Sequence, residues 1–202
     1  MRPIVITHPS QLSNEFEAIN ALFENGLEIL HVRKPDFNKE KLQQWIKSVD
    51  ERFHKHIMIH SHLSLVEEMN LKGVHFTSYN RHLLDKYIDC NYQKSTSTHS
   101  LDELKQWGEH VDYAFLSPVF ESISKKGYMP TIKLNAIHNF LDTKCKVPVI
   151  ALGGIDSHNA DKVKEAGFEG LAILGSLWSE FEKDHNINKL IRRYNEIANK
   201  WS

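Results

Sequence analysis

The chain has 202 residues, of which 41% are hydrophobic, so it can bury one sizeable core and we predict a single domain over residues 1–202. Its 25 Lys and Arg residues against 26 Asp and Glu give a formal net charge of -1, which excludes a broad basic surface for nucleic acid or an anionic membrane. There is no signal-peptide pattern, no apolar run of transmembrane length, and no metal or disulfide spacing between Cys90 and Cys145. We expect a cytoplasmic protein with reduced thiols and small-molecule partners; homo-oligomerisation stays open.

Short β-type runs alternate along the whole chain with amphipathic segments. The predicted strands cover residues 4–7, 27–32, 56–60, 73–76, 92–96, 112–117, 147–151 and 170–174. The predicted helices cover residues 14–24, 38–53, 63–70, 81–88, 101–108, 134–141, 160–166 and 187–198. Parallel neighbouring strands need a crossover, which the helices supply, so strict alternation predicts an α/β protein with a parallel sheet.

About eight such units are enough for the sheet to close into a single (β/α)8 TIM barrel, although the chain is short for that fold. A doubly wound open sheet is the alternative. The Gly-x-Gly-x-x-Gly turn that would favour a dinucleotide-binding version of it is missing from the sequence.

Glycines at the ends of two late strands indicate a phosphate site. Gly153 and Gly154 follow the apolar run that begins at Val147, and Gly175 and Ser176 follow the next strand. Glycine lets backbone N–H groups approach an anion, and barrels commonly hold a phosphate on the loops after strands seven and eight. The second pair, at the right distance, favours a phosphate site over a simple tight turn.

The segment from Asp112 to Gly127, Asp-Tyr-Ala-Phe-Leu-Ser-Pro-Val-Phe-Glu-Ser-Ile-Ser-Lys-Lys-Gly, resembles a segment of the thiamine phosphate synthase/TenI family. In the synthases the loop that follows this strand binds the phosphate of the thiazole substrate. The resemblance therefore implies this role for Ser122, Ser124 and Lys125, whose hydroxyl and ammonium groups suit a phosphate dianion.

Three further motifs are similar to family motifs and extend the resemblance over most of the chain. They are Leu30-His-Val-Arg33 on strand two, Gly73-Val-His75 on strand four and Ser97-Thr-His-Ser100 after strand five. The resemblance implies a barrel fold and adds Arg33 and Ser97 to the candidate substrate-binding residues.

The sequence departs from the family where each known reaction is carried out. The synthases hold a pyrimidine pyrophosphate with Mg²⁺ on acidic residues, but the corresponding positions here read His60-Ser61 and Asn80. The family's strand-two lysine is displaced by one position to Lys34, which strand parity turns to the opposite face. The TenI branch, a thiazole tautomerase, needs no such metal, but Pro118 occupies the position of its catalytic histidine.

Histidines are frequent, and four of the 13 lie near predicted strand ends: His31, His60, His75 and His99. His31 shares a strand face with Arg33, so both should point into the site. For proton transfer the candidate catalytic residues are His31 first and then His60, because imidazole titrates near neutral pH. A zinc site is an alternative, but no carboxylate or cysteine accompanies the histidines at a recognisable spacing, so we expect no metal ligands.

The leading hypothesis is a thiamine-biosynthesis enzyme that acts on a phosphorylated thiazole, with TenI-like proton transfer slightly favoured. The alternatives are a thiamine phosphate synthase and a catalytically degenerate barrel that binds a phosphorylated ligand. No cofactor is expected, with Mg²⁺ required only if the chain is a true synthase.

Overall fold

The computed structural model describes residues 2–121 and 132–202 of the chain. Eight strands in this part of the chain form one closed, all-parallel barrel in which each strand pairs with its neighbours in sequence and β8 pairs with β1. The strands are β1 Ile4–Ile6, β2 Leu30–Val32, β3 Ile57–Ile59, β4 Gly73–Phe76, β5 Gln93–Thr98, β6 Tyr113–Leu116, β7 Val149–Leu152 and β8 Gly170–Ile173. The predicted (β/α)8 barrel is confirmed, and the open-sheet alternative is wrong.

The barrel interior and the layer under the helices are two separate clusters, as alternating strand side chains require. Ile4, Ile6, Ile29, Met58 and Phe115 belong to the interior cluster, and they are at most 7% exposed. Residues of the opposite parity, such as Val5, Leu30 and Val32, pack outward against the helices. The predicted parity of strand two is confirmed, because Ile29 and His31 both lie inside the barrel.

The helices surround the barrel at the positions that the amphipathic pattern predicts, except that the predicted helix over residues 81–88 is a 3-10 helix, the one over residues 38–53 is divided, and one helix is added. Their bounds are α1 Glu15–Glu24, α2 Lys39–Lys47, α3 Leu65–Glu68, α4 Leu101–Trp107, α5 Leu134–Lys144, α6 Ala160–Glu165, α7 Gly175–Asp184 and α8 Ile187–Trp201, with 3-10 helices at Glu51–His56, Arg81–Tyr87 and Gly108–His110. The predicted helix over residues 38–53 is divided, because the Asp50 side chain accepts from the Arg52 N–H and begins a new turn.

The sequence pattern does not predict helix α7, because Gly175 and Ser176 are typical of a strand-end loop. The segment is helical and buries Leu177, Trp178 and Phe181. The indole N–H of Trp178 donates to the carbonyl of Ile6 at 2.8 Å, which fixes the start of α7 beside the end of β1. Within the described residues, no helix is long and apolar enough to cross a membrane.

Candidate functional site

A cavity of about 1120 Å³ opens where the carboxyl ends of the strands meet. This is the end at which (β/α)8 barrels build their sites, because the eight strand-to-helix loops converge there. The described residues that line it include Arg33, His60, Ser61, Asn80, Ser97, His99, Phe115, Pro118, Gly153, Gly154, Gly175 and Ser176. No Asp or Glu is among the lining residues that the structure describes.

Three histidines from adjacent strands meet inside the barrel below this cavity. His31 on β2 and His75 on β4 are 0% exposed, whereas His60, the residue after β3, reaches the cavity. Nδ1 of His31 lies 3.0 Å from Nε2 of His60, and the rings of His60 and His75 stack with their centroids 4.1 Å apart. The predicted histidine cluster is therefore present, and His60 is its member at the cavity surface.

Hydroxyl groups hydrogen-bond the same histidines in the barrel interior. Nε2 of His31 lies 2.6 Å from the hydroxyl of Tyr113. The Ser95 hydroxyl lies 2.8 Å from Nδ1 of His75, and Nε2 of His75 lies 2.8 Å from the Ser97 hydroxyl. Each of these imidazoles and hydroxyls can both donate and accept a hydrogen bond.

Burial keeps these histidines neutral. The pKa of His60 is held well below 6.5 first by burial, then by the repulsion that protonated His75 and His31 would exert, and by the positive charge of Arg33. Burial and then His75 also hold the pKa of His31 well below that value, and burial with the positive charges of Arg81 and Arg33 lowers the pKa of His75 to about 3. Burial raises the pKa of Tyr113, so its phenol stays protonated. The cluster is therefore uncharged at neutral pH.

The late-strand glycines and the start of α7 line the cavity together. The N–H groups of Leu177 and Trp178 donate to the Leu174 carbonyl, and the hydroxyl of Ser176 is buried with no partner among the described residues. A buried hydroxyl without a partner is costly, and one at a helix N-terminus is placed to bind an anion. This arrangement fits the predicted phosphate site.

Besides any ligand, the turn after β6 also requires glycine at positions 153 and 154. Their φ angles are 100° and 66°, in the region that side chains with a Cβ rarely adopt. A Cβ on Gly154 would approach Phe120 Cβ to 2.8 Å and collide with the Glu121 carbonyl. The glycines thus make room for the turn after β6, so a Gly154→Val substitution would disturb that turn as well as any ligand.

Two cations, Arg33 and Lys34, follow β2 directly, and both line the cavity. The ammonium of Lys34 is 2.6 Å from Oε1 and 2.8 Å from Oε2 of the buried Glu15, and it also donates to the carbonyls of His8 and Ser10. Lys34 therefore ties the loop after β1 to α1 and does not replace the lysine of the family motif.

The cavity does not fit the Mg²⁺ site of the synthases. Mg²⁺ requires oxygen ligands, usually including carboxylates, and the described lining residues supply none. Asn80 is occupied with the backbone: its oxygen accepts from the Thr77 N–H at 2.6 Å and its NH₂ donates to the His60 carbonyl at 3.1 Å. Asn80 therefore connects the loops after β3 and β4.

The three histidines are the described residues closest to a transition-metal site, with one ligand atom from each within 4.8 Å of the others. An imidazole lone pair lies in the ring plane, and zinc is bound at about 2.0–2.1 Å. The planes of His60 and His75 differ by only 27° while their centroids are 4.1 Å apart, so they do not converge at that distance. Both nitrogens of His75 also face serine hydroxyls, so the arrangement favours hydrogen bonding.

The placement of the other predicted residues is uneven. Ser122, Ser124 and Lys125 lie outside the described residues, so their role stays a prediction. His31 lies beneath the cavity with both ring nitrogens engaged in hydrogen bonds.

Sequence reasoning missed Tyr113 and Ser95, which the pattern assigns to ordinary strand positions. Strand parity could have identified both residues. Ser95 on β5 faces inward beside His75, and Tyr113 on β6 faces inward beside His31.

The structure defines a single (β/α)8 barrel with a cavity at the carboxyl ends of its strands. A family model described as thiamine monophosphate synthase matches residues 3–177, so the chain belongs to the thiamine phosphate synthase/TenI family. A thiamine phosphate pyrophosphorylase from Bacteroides thetaiotaomicron has a similar structure, with TM-score 0.84 and 32% identity, over 99% of this chain and 97% of that one.

One more distant relative is similar in sequence, and another is similar in fold. The thiamine-phosphate synthase of Caldicellulosiruptor saccharolyticus is 26% identical over 183 residues, which are 88% of this chain and 82% of the relative. A thiamine phosphate pyrophosphorylase from Pyrococcus furiosus has a TM-score of 0.77 at 20% identity, over 97% of this chain and 96% of that one, and shows the fold alone.

Proposed function

We propose that this protein binds a thiazole phosphate in the cavity and transfers a proton at its ring, with His60 as the acid-base group. The observation that carries the proposal is a neutral histidine at the floor of a cavity whose described lining offers phosphate donors and no carboxylate. General acid-base catalysis needs such a group in its unprotonated form at the working pH. The family relationship supports the thiazole phosphate as the substrate class.

His60 is favoured over His31 because of its position. His60 lines the cavity, and its Nδ1 atom is buried with no hydrogen-bond partner among the described residues. Its Nε2 is next to His31 Nδ1 at 3.0 Å, which orients the ring. His31 then acts as a positioning residue beneath the catalytic one, as the orienting member of a catalytic triad does.

The phosphate is proposed to lie at the start of α7, opposite the histidines of β2 to β4 in the barrel. The Ser176 hydroxyl, the Gly154 turn and the Arg33 guanidinium line the same cavity. A phosphate held there would place the attached ring over the cavity floor near His60. Anchoring a remote group in this way orients the reacting atoms.

The synthase reaction is the second candidate, supported by the names of the relatives. It requires a metal-bound pyrophosphate, for which the described cavity residues offer no carboxylate. A barrel that only binds a phosphorylated ligand is the third candidate. Proton transfer is preferred because it uses the histidine cluster and needs no metal.

The test is to offer the purified protein a thiazole phosphate as its less stable tautomer and to follow conversion by proton NMR. Conversion faster than in buffer supports the proposal. Tight binding without conversion would leave the ligand-binding barrel as the better account, and neither binding nor conversion would refute the proposed substrate class.

Replacing Ser176 by alanine should weaken binding of the phosphate. A hydrogen bond to a charged group contributes about 1.5–3 kcal/mol, so the dissociation constant should rise roughly 10- to 100-fold. Calorimetry with the thiazole phosphate and with the dephosphorylated alcohol measures the effect, which should be confined to the phosphate. Ser61→Ala, at the opposite side of the cavity, is the matched control; equal losses in both variants would contradict the phosphate assignment.

A further inference from the structure

Tyr79 lies at the rim of the cavity and is the most exposed large hydrophobic residue that the structure describes. It is 90% exposed, and it lines the cavity together with its neighbours Ser78 and Asn80. Its ring has no hydrogen bond or ring contact with the other described residues. A single exposed aromatic residue is common on protein surfaces, so the position of Tyr79, more than its exposure, indicates a role.

The turn that carries Tyr79 is held on both sides by side chains that follow it. The side-chain NH₂ of Asn80 donates to the carbonyl of His60 at 3.1 Å, directly after β3. The guanidinium of Arg81 donates to the carbonyl of Ser97, near the end of β5. Because the backbone is fixed between these two strand ends, the ring of Tyr79 moves by rotation about its own side-chain bonds.

The cavity offers an apolar floor to a flat ligand ring. Hydrophobic side chains from four strands line it: Ile6, Phe115, Leu152 and Ala172. A ring on this floor would have one face against apolar side chains and the other face towards water. Tyr79 is next in sequence to Asn80, which is bonded to His60, so it lies on the side of the cavity where we place the ligand ring.

We propose that Tyr79 selects a ligand with an aromatic ring by stacking on the face of that ring that points away from the cavity floor. The inference rests on the proposed function and deepens it, because it assigns the recognition of the ring to Tyr79 and leaves the phosphate to Ser176. Aromatic pairs are favourable beyond the area that they bury. A tyrosine also orders only two side-chain torsions when it binds, so the entropic cost is small.

Two simple compounds test the stacking without any reaction: 2-phenylethyl phosphate and 2-cyclohexylethyl phosphate share the phosphate and the linker and differ in the ring. Calorimetry gives the preference for the aromatic compound. This preference should be about 2- to 10-fold greater in the wild type than in Tyr79→Leu, the range for an aromatic pair, since leucine is apolar but has no aromatic face. Tyr79→Phe should keep the wild-type preference.

Two further variants are the controls. Ile88 is 50% exposed but is not among the described lining residues, so Ile88→Ala should match the wild type. Ser176→Ala should weaken both compounds equally, because they carry the same phosphate. The contacts of Tyr79 and Ser176 are thereby measured separately.

NMR of protein labelled at tyrosine rings gives a direct readout of stacking. Bound 2-phenylethyl phosphate should shift the ring protons of Tyr79 upfield through its ring current, and the cyclohexyl compound should not. The role of Tyr79 would be overturned by equal preferences in the wild type and Tyr79→Leu, by the absence of this shift, or by failure of the wild type to bind either compound. Stacking without conversion of a thiazole phosphate would refute the proposed proton transfer and leave the recognition of an aromatic ring intact.

Discussion

Replacing His60 by glutamine is expected to lower turnover of a thiazole phosphate by about 10²- to 10⁴-fold, the range that general acid-base catalysis commonly contributes. Glutamine is similar in size and keeps hydrogen-bonding groups near His31, but it cannot accept a proton at neutral pH. Because the phosphate is proposed to lie at the start of α7, its affinity should change little. Steady-state kinetics and calorimetry on the same preparation separate the two effects.

His54→Gln is the matched control, since His54 is also partly buried and hydrogen-bonded, to the carbonyls of Ile46 and Val49, in the 3-10 segment that precedes β3. It should retain wild-type turnover. Equal turnover in His60→Gln and the wild type would remove His60 from the mechanism.

The pH profile of the wild type gives an independent check on His60. Burial, then the repulsion that protonated His75 and His31 would exert, and the positive charge of Arg33 hold the pKa of His60 well below its usual 6.5. The unprotonated ring is the active form, so turnover should stay level as the pH falls through 6.5 and decline only under more acidic conditions. A half-maximal rate near pH 6.5 would indicate an exposed base instead.

Lys34→Met should destabilise the fold strongly, because it leaves the Glu15 carboxylate buried without its cation. Both side chains are 0% exposed, and Glu15 also accepts from the Trp45 indole at 3.2 Å. Burial raises the pKa of Glu15 and lowers that of Lys34 despite their mutual attraction, so each charge depends on its partner. Breaking such a pair costs about 3–5 kcal/mol, which urea unfolding will measure.

The exposed pair of Lys39 and Glu68 provides the comparison. The two side chains are 41% and 39% exposed, and Nζ of Lys39 lies 2.6 Å from Oε1 of Glu68. Lys39→Met should cost about 0–1 kcal/mol, as for other surface pairs. The double variant Glu15→Gln/Lys34→Met should recover part of the loss. Equal costs for Lys34→Met and Lys39→Met would contradict a structural role for the buried pair.

The fold was predictable because strand and helix patterns alternate at regular spacing along the chain. Element ends were less predictable: the strand expected at residues 27–32 covers only Leu30–Val32. Helix α7 was missed because glycine and serine at its start indicate a loop in the sequence, whereas the burial of Trp178 and Phe181 makes the segment helical. Tertiary packing of this kind is not visible in local propensity.

The site was partly predictable for a similar reason. Motif positions and strand parity predict that His31, His60 and Arg33 lie at one end of the barrel. How deep each histidine lies below the cavity could not be predicted, because this depends on how far each strand extends. His31 lies within β2, whereas His60 follows the last residue of β3. The hydroxyls of Tyr113 and Ser95 connect to the histidines through a barrel interior that only closure of the sheet creates.

Hydrogen-deuterium exchange tests most directly whether this cavity transfers a proton at a thiazole phosphate without a metal. The protein is incubated with a thiazole phosphate in D₂O containing EDTA, and the ring proton is followed by NMR. We expect enzyme-dependent loss of that proton, at a rate that added Mg²⁺ does not change. No exchange under these conditions, together with release of pyrophosphate when Mg²⁺ and a pyrimidine pyrophosphate are supplied, would contradict the account and establish the synthase reaction.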